Sequence, residues 1–250
     1  MDVAIGERDL EAAALRGEPS YSWRAGQAKR LDIVLAGAGD RAHGRVLDNG
    51  CGVGEYLARL ASIARQAHGV EFDFGRARVS RQRASVARVV CAAGQHLPYA
   101  SDAFELVLSH EVLEHVAEDR AAAAEIVRVL KPRGRLILFV PNRGYPFETH
   151  GVYWRGRYIF GNIPLVNYLP RGLRDRLAPH VRVYSRADVA RLFTGLPVAI
   201  VSTTVIFGAY DNLIARWPRL GRALRAILHA LEGTPLRSLG LSHVWIVEKV

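Results

Sequence analysis

A glycine-rich turn between two acids is the part of this sequence best suited to chemistry. Asp48 ends a short apolar stretch, and three alternating glycines and a second acid follow it, at Gly50, Gly52, Gly54 and Glu55. Glycine has no Cβ atom, so this backbone can bend sharply and lie close to a ligand. A helix expected to begin near Val53 would add free N–H groups to the turn. The pattern predicts a cradle for a nucleotide-type ligand.

The spacing of the glycines distinguishes between the possible classes of nucleotide ligand. A dinucleotide fingerprint needs its third glycine where this chain has Glu55, and a P-loop needs a Gly-Lys-Ser/Thr sequence that does not follow. Acids at 48 and 55 would repel a pyrophosphate but suit a cationic ligand. From Val46 to Gly54 the chain resembles the class I S-adenosylmethionine-dependent methyltransferases, in particular the type-11 or ubiquinone/menaquinone-methyltransferase-like branch. Their cofactor carries a sulfonium and an ammonium group and no phosphate.

Two further segments concern cofactor binding. Glu71 lies 23 residues after Asp48, at the end of the next apolar stretch, where a carboxylate can accept both hydroxyls of a ribose. The resemblance assigns that role to Glu71; the alternative is an ordinary acid at a strand end. The segment from Cys91 to Tyr99 is similar to a family motif with an adenine-binding aspartate, but this chain has Ala93 there. We therefore expect backbone groups around Gly94 and Gln95 to make the contact with adenine.

The stretch from Ala103 to Val116 is the second strong match to the family. It predicts a strand that brings Ser109 and His110 to the edge of the sheet where ligands bind in open α/β folds. A neutral imidazole at position 110 could accept a proton from an acceptor hydroxyl. Equally, His110 could be a hydrogen-bonded wall residue. Weaker candidates for a base are Tyr21, His150 and Tyr153.

Glu111, Glu114 and His115 have a spacing that places them on one face of a helix. Two carboxylates and an imidazole could bind a divalent metal, with His150 or His180 completing the shell. Some relatives similar at this motif use metal, but the motif is also widespread in relatives without one. We therefore predict no metal and keep this set as the alternative.

The catalytic candidate in the predicted site is His110. The predicted cofactor-binding residues are Asp48, Gly50, Cys51, Gly52, Glu71, Phe72, Gly94, Gln95, Ser109 and His110. The segment from Glu125 to Leu136 also resembles the family, and its Pro132 and Gly134 are expected to end a helix and support a turn.

The elements that must position these residues alternate between strand and helix. Apolar stretches predict strands at 45–48, 68–72, 87–92, 104–109, 135–140, 198–206 and 243–247, and helices are predicted at 7–16, 22–37, 53–66, 74–85, 119–130, 186–193 and 212–231. This order predicts an α/β fold with a Rossmann-like, seven-stranded, mostly parallel sheet and helices on both faces. The resemblance implies that the final strand is antiparallel.

The chain is expected to have four regions. Residues 1–40 form an N-terminal helical cap, 41–142 a Rossmann-like core for S-adenosylmethionine, and 181–250 the completion of the sheet. Residues 143–180 combine aromatic side chains with arginines and show no regular period. We predict that they form an inserted cap over the acceptor.

Composition limits the remaining possibilities. The chain has 250 residues, half of them hydrophobic, and a net charge of +10 that comes almost entirely from arginine. Two cysteines make no disulfide framework and no signal peptide is evident, so we expect a cytoplasmic protein. The basic, amphipathic segment 213–228 could lie on an anionic membrane or pack on the sheet with a solvated basic face.

Three functions follow from these patterns. The first is an enzyme that moves a methyl group from S-adenosylmethionine to a small, hydrophobic or lipid-like acceptor on oxygen. The second is an RNA methyltransferase, favoured by the positive charge although the arginines are scattered. The third is a module that binds S-adenosylmethionine without catalysis. No obligate protein partner can be inferred.

Overall fold

A seven-stranded sheet forms the centre of the molecule, in a computed structural model that describes residues 23–250. Its strands are β1 (Arg45–Asn49), β2 (Gln66–Glu71), β3 (Arg88–Cys91), β4 (Phe104–His110), β5 (Leu130–Pro141), β10 (Val198–Ile206) and β11 (Ser242–Lys249). Four shorter strands lie between β5 and β10: β6 (Phe147–Glu148), β7 (Val152–Trp154), β8 (Arg157–Ile159) and β9 (Ile163–Pro164).

Eight α-helices surround the sheet in the described part of the chain. They are α1 (Ala25–Ala38), α2 (Glu55–Ala61), α3 (Phe74–Arg83), α4 (Asp119–Val129), α5 (Arg171–Leu177), α6 (Arg186–Leu192), α7 (Asp211–Arg216) and α8 (Pro218–Leu231). Short 3-10 helices occupy Gly39–His43, Val166–Tyr168 and Pro235–Leu239. The predicted helix at 7–16 and the candidate base Tyr21 lie outside the described residues.

The strand order is β10-β11-β5-β4-β1-β2-β3. Strands β1 to β5 pair in parallel, whereas β11 is antiparallel to both of its neighbours, β5 and β10. The predicted Rossmann-like, mostly parallel sheet with an antiparallel final strand is therefore confirmed. The order reverses between β1 and β4, and this is where open α/β sheets bind their ligands.

The two faces of the sheet are buried by different helices. In β4 and β5, Leu108 and Ile137 contact the cluster that contains Val34 of α1, whereas Val107 and Leu138 belong to the cluster that contains Ile126 of α4. Neighbouring residues of a strand point to opposite faces, so central strands covered on both sides must be apolar throughout. Burying such a side chain stabilises the fold by about 1.5–3 kcal/mol.

Three predicted boundaries were wrong. The helix predicted at 53–66 is shorter, because α2 ends at Ala61 and the chain turns into β2 at Gln66. The helix predicted at 212–231 is two helices, because Pro218 has no N–H to continue α7 and instead starts α8. Strand β5 begins at Leu130, five residues before the predicted start, with an irregular register opposite Phe104 and Leu106.

Residues 143–180 fold into small elements above the sheet edge. Strands β6 and β9 pair with each other, as do β7 and β8. At their centre a buried ion pair joins Arg174 to Glu148, with Nη2 and Oε2 2.6 Å apart. Because two buried charges are costly unless they are paired, this contact holds α5 against the β6 segment. The four-region division of the chain remains a prediction.

No helix within residues 23–250 is long and apolar enough to cross a membrane.

The buried His68 of β2 predicts that stability falls in mild acid. Burial, and then the charges of Arg45 and Arg88, lower the pKa of His68 from 6.5 to about 4. Below about pH 6.5 this histidine binds a proton in the unfolded chain but stays neutral in the folded chain. The stability that the neutral side chain contributes above that pH is therefore lost as the pH falls toward 4.

His68→Gln keeps an acceptor for the Arg45 Nε donor, which lies 3.3 Å from Nε2, but does not titrate. We expect the unfolding free energy of the natural chain to fall by up to about 2 kcal/mol more than that of the variant between about pH 7 and 5. Urea unfolding at both pH values measures this. An identical pH dependence of the two proteins would contradict it.

Candidate functional site

The predicted site residues meet at the carboxyl edge of four adjacent strands, β4, β1, β2 and β3. Asn49 and Ser109, at the ends of β1 and β4, are register partners, as are Asn49 and Val70. Glu71 and Cys91 are the corresponding pair at the ends of β2 and β3. The parallel register therefore gathers side chains that are far apart in the sequence.

The glycine turn is tied to the end of β2 by its own backbone. The N–H groups of Gly50 and Cys51 both donate to the carbonyl of Val70, at 2.8 and 2.9 Å, and the N–H of Gly52 donates to Glu71 Oε2 at 2.9 Å. The free donors expected at the start of the following helix, α2, stay a prediction, but three N–H groups of the turn itself are engaged within the protein. This arrangement disfavours a phosphate nest and agrees with a cationic ligand.

Glycine is required at the first position of this turn. Gly50 has φ of +81°, and a Cβ atom there would lie 2.2 Å from Cγ2 of Val112. Because Val112 follows β4, the turn after β1 packs directly on the segment that carries His110. The two predicted motifs are therefore in contact.

Glu71 has a structural task as well as its predicted ribose contact. It is buried, and its second oxygen, Oε1, accepts the N–H of Asp73 at 3.0 Å. One carboxylate thus joins the turn after β1 to the turn after β2. Each carboxylate oxygen has a further lone pair, so Glu71 can still accept hydroxyl groups.

Unpaired polar atoms line the edge between β1 and β4. Asn49 is fully buried, and neither its amide oxygen nor its amide nitrogen has a partner among the described residues; the same holds for Asp48 Oδ2 and Ser109 Oγ. Buried polar atoms in proteins are nearly always hydrogen-bonded, so this row indicates a polar ligand. Asn49 was missed by the sequence analysis, since its place between Asp48 and Gly50 was the only signal.

The carboxyl of Asp48 is poised to change its charge near neutrality. Burial, and then the charge of Glu71, raise its pKa to about 7. A cation bound next to Asp48 would favour the carboxylate and lower this pKa again. The site is therefore complementary to a positively charged ligand.

His110 lies among aromatic rings. Its ring centroid is 5.0 Å from that of Tyr56 and 5.1 Å from that of Phe139, and its Nε2 atom is buried with no partner in the described chain. Burial, and then the charge of Arg30, lower the pKa of His110 to about 4. The imidazole is neutral at physiological pH, as predicted, and its low pKa makes it a weak base.

An aromatic wall continues from His110 toward the start of α1. Trp23 meets Tyr56 edge to face, with centroids 5.5 Å apart, and the guanidinium of Arg59 lies over the Trp23 ring at 3.3 Å. The hydroxyl of Tyr56 is buried without a described partner. Trp23 belongs to the predicted N-terminal helical cap at 1–40, but Tyr56 was not predicted.

Two buried carboxyl groups follow His110. Burial opposes ionisation of Glu111, but His110 and Arg30 lower its pKa overall. Burial and the charge of Glu111 raise the pKa of Glu114 well above its usual range. Glu111 has φ of +56° and accepts a hydrogen bond from Ser242 Oγ at 2.9 Å. Glu111 is therefore the more acidic member of the pair.

The structure changes the composition of the alternative metal set. Ligand atoms of Glu114, His115 and His150 all lie within 4.8 Å of one another, whereas Glu111 is turned toward Ser242. Nδ1 of His150 is 3.0 Å from Glu148 Oε1, a contact that orients the ring. Oxygen and imidazole donors of this kind suit several divalent metals.

The other predicted cofactor residues are placed unequally. Cys51 directs its sulfur into the core, 3.3 Å from Ser80 Oγ, so that a ligand contact could come only from its backbone. Phe72 is 79% exposed at the end of β2. A Cβ atom on Gly94 would lie 3.6 Å from Asn49 Oδ1, which places the turn containing Gly94 and Gln95 beside the unpaired amide.

The residues present fit the cofactor that the sequence implies. The cradle offers acidic acceptors at Asp48 and Glu71, polar atoms without partners at Asn49 and Ser109, and no free anion-binding nest among the described turn residues. A ligand with two cationic groups and a ribose matches these donors and acceptors.

We predict that Glu71 is required for cofactor affinity. Glu71→Ala removes the ribose acceptor and releases the N–H of Gly52, so the dissociation constant for S-adenosylmethionine should rise at least about tenfold, the equivalent of one charged hydrogen bond. Calorimetric titration measures this, with the exposed Glu118→Gln as a control. An affinity within a factor of about two of the natural chain would contradict the assignment.

We predict that metal removal leaves the fold and the catalytic activity unchanged. Burial and the charge of Glu111 raise the pKa of Glu114 well above its usual range, and a protonated carboxyl is a poor ligand until a metal displaces the proton. Exhaustive chelation followed by thermal unfolding and methyl-transfer assays tests this. Activity lost on chelation and restored by added Mn²⁺ or Zn²⁺, but not in Glu114→Gln, would establish the metal site instead.

Comparisons with known proteins find methyltransferases. Residues 47–138 match the family model described as a methyltransferase domain. A probable S-adenosylmethionine-dependent methyltransferase of Mycolicibacterium smegmatis is 32% identical over 141 residues, 55% of this chain and 51% of that protein. A ubiquinone/menaquinone biosynthesis C-methyltransferase of Desulfotalea psychrophila is 29% identical over 182 residues, 67% of this chain and 71% of that protein.

Solved structures confirm the fold over most of the chain. An S-adenosylmethionine-dependent methyltransferase from Mesorhizobium loti superposes with a TM-score of 0.62 over 90% of this chain and 98% of that one, at 17% identity. This chain spans about half the length of the first curated relatives that it matches, 51% and 48%. The match to the family model, over residues 47–138, runs from β1 to β5.

Proposed function

We propose that this chain, which belongs to the class I S-adenosylmethionine-dependent methyltransferases, transfers a methyl group to a small hydrophobic or lipid-like acceptor, on oxygen. The observation that carries the proposal is the row of buried, unpaired polar atoms next to a neutral His110 at the switch in strand order. In this arrangement the proposed cofactor-binding residues lie next to an imidazole that could accept a proton from the methyl acceptor.

The residues of the cradle have separate tasks in this proposal. Glu71 would accept the ribose hydroxyls, Asp48 would face the cationic part of the cofactor, and Asn49 would hydrogen-bond its polar groups. When bound, S-adenosylmethionine supplies a methyl group on a positively charged sulfur. The protein has to position the acceptor, exclude water and remove a proton.

His110 is the group proposed to meet the acceptor hydroxyl. Its buried Nε2 has no described partner, so it can accept a hydrogen bond from that hydroxyl. Because burial holds the pKa of the ring at about 4, it can remove a proton only from a comparatively acidic hydroxyl. This favours a phenol, quinol or enol over an aliphatic alcohol.

The lining around His110 also favours an aromatic or apolar acceptor. Tyr56 and Phe139 flank the imidazole. Such a lining, with few polar groups, is typical of small-molecule sites. The weaker candidate bases fit less well: His150 is engaged by Glu148, and the Tyr153 ring packs against His180.

The relatives point to the same acceptor class but leave the atom open. The relative from Desulfotalea psychrophila is named as a quinone C-methyltransferase. Deprotonating a quinol hydroxyl activates both the oxygen and the neighbouring ring carbon. Our proposal is therefore transfer to oxygen, with transfer to carbon as the result that would correct it.

A second candidate is methylation of RNA. A cavity of about 460 Å³ beside residues 119–120 and 182–184 is lined by six arginines and three aspartates: Arg120, Arg143, Arg171, Arg174, Arg182, Arg191, Asp119, Asp175 and Asp188. Several of these arginines are engaged in ion pairs, as at Asp188 with Arg171 and at Glu148 with Arg174. The remaining positive charge suits a phosphate backbone.

Transfer of radiolabelled methyl groups to quinol, phenolic lipid, glycan and RNA fractions tests both candidates. We expect label in the quinol or phenolic fraction, on oxygen by mass spectrometry of the product. Label found only in RNA would overturn the leading proposal. No product with any acceptor, despite cofactor binding, would favour a non-catalytic binding module.

Variants at His110 test its role. His110→Ala should lower kcat about 10²- to 10³-fold, while the cofactor dissociation constant changes little because the cradle is intact. In His110→Asn the side chain can hydrogen-bond but does not titrate, so this variant separates positioning from proton transfer. Recovery of most activity would indicate positioning, and continued loss would indicate proton transfer. Activity of His110→Ala close to that of the natural chain would remove this residue from the reaction.

A further inference from the structure

Helix α8 is an amphipathic helix whose apolar face is only partly covered by the protein. Gly221 is its one buried residue, where a Cβ atom would lie 2.7 Å from Cα of Ile214 in α7. Leu224, Leu228 and Leu231 are half-buried, whereas Leu220 and Ile227 are 61% and 60% exposed. The helix packs closely on α7 at Gly221, whereas Leu220 and Ile227 on its apolar face are exposed to solvent.

Exposed apolar residues are concentrated on α8 and on the segments next to it in the chain. Leu220 and Ile227 are seven residues apart, two turns of the same face. Trp217, 51% exposed, precedes the helix, and an open apolar hollow begins there and extends to Arg222. The following 3-10 helix adds Leu236 and Leu239, at 51% and 42% exposure. We call these five residues the apolar ridge.

The charge around the apolar ridge has one sign. Between residues 212 and 231 there are four arginines, at 216, 219, 222 and 225, and no acidic residue. Arg216 lies over the Trp217 ring at 4.8 Å. Arginine side chains can rest their aliphatic parts on an apolar surface and extend the guanidinium to anionic groups. An apolar strip with Trp and flanking arginines matches the boundary between lipid headgroups and acyl chains.

The helix pair α7–α8 is also joined to the wall of the proposed active site. Asp211 Oδ2 accepts the N–H of Gly26 at 3.2 Å, and Asn212 Oδ1 accepts from Arg24 at 2.7 Å. These contacts hold the first turn of α1, which directly follows Trp23 and its contact with Tyr56. A surface on which α8 rests would therefore lie close to the aromatic end of the site.

We propose that the apolar ridge docks this protein onto an anionic lipid bilayer, with α8 lying in the interface. This rests on the proposed function only in linking the surface to a lipid-like acceptor, which could then reach the aromatic wall from the membrane. The occupant is a bilayer rather than a second copy of the chain, because the acidic and basic residues between 212 and 231 are arginines alone, and a copy would bring these like charges together.

Sedimentation of the full chain with vesicles tests the proposal without any methyl acceptor. We expect binding to vesicles of equal parts phosphatidylcholine and phosphatidylglycerol, weaker binding at high salt, and little binding to phosphatidylcholine alone. Leu220→Glu/Ile227→Glu should weaken the partitioning at least about tenfold. Because both side chains are exposed, the double variant should keep its fold and its cofactor affinity, which calorimetry checks.

Val86→Glu is the matched control, because Val86 is 79% exposed but precedes β3 at the opposite edge of the sheet. Its vesicle binding should equal that of the natural chain. Equal sedimentation of Leu220→Glu/Ile227→Glu and the natural chain, or no sedimentation of the natural chain, would overturn the proposal. So would a dimer in lipid-free solution that the double variant abolishes, since a second copy would then cover the ridge.

The two proposals fail independently. Loss of vesicle binding would leave methyl transfer to a water-soluble quinol untouched. Absence of methyl transfer would leave vesicle binding as measured.

Discussion

The attachment of the glycine turn to the end of β2 is the constraint on which the site depends. The carbonyl of Val70 and the carboxylate of Glu71 accept hydrogen bonds from the N–H groups of three consecutive residues, Gly50 to Gly52. In many nucleotide-binding turns such groups face the ligand, but here they are used within the protein. The cradle is therefore defined by side-chain acceptors and acids. This physical difference separates a site for a cation from a site for a pyrophosphate.

Desolvation then sets the chemistry around that turn. Asp48, His110 and Glu114 are pushed toward their neutral forms by burial, whereas Glu111 keeps its charge through nearby positive groups. A cationic ligand would restore charge to the acids beside it and be bound more tightly for that reason.

The sheet and the donor half of the site could be predicted from the sequence, because both depend on local patterns. Strand β10 matches its predicted bounds at both ends, since its β-branched residues favour an extended chain. The aromatic contact of Tyr56 with His110 could not be predicted, because it forms only when distant segments fold together. Asn49 was overlooked because burial, not spacing, makes it unusual.

The ion pair of Arg174 with Glu148 has an evolutionary consequence. Both partners belong to residues 143–180, so this segment carries much of its cohesion internally while the sheet supplies the donor site. Changes in its aromatic lining can accumulate without disturbing the strands that hold the cofactor. In the proposed function, where residues 143–180 cover the acceptor, a fold divided in this way would keep one donor and exchange its acceptor through changes in this segment.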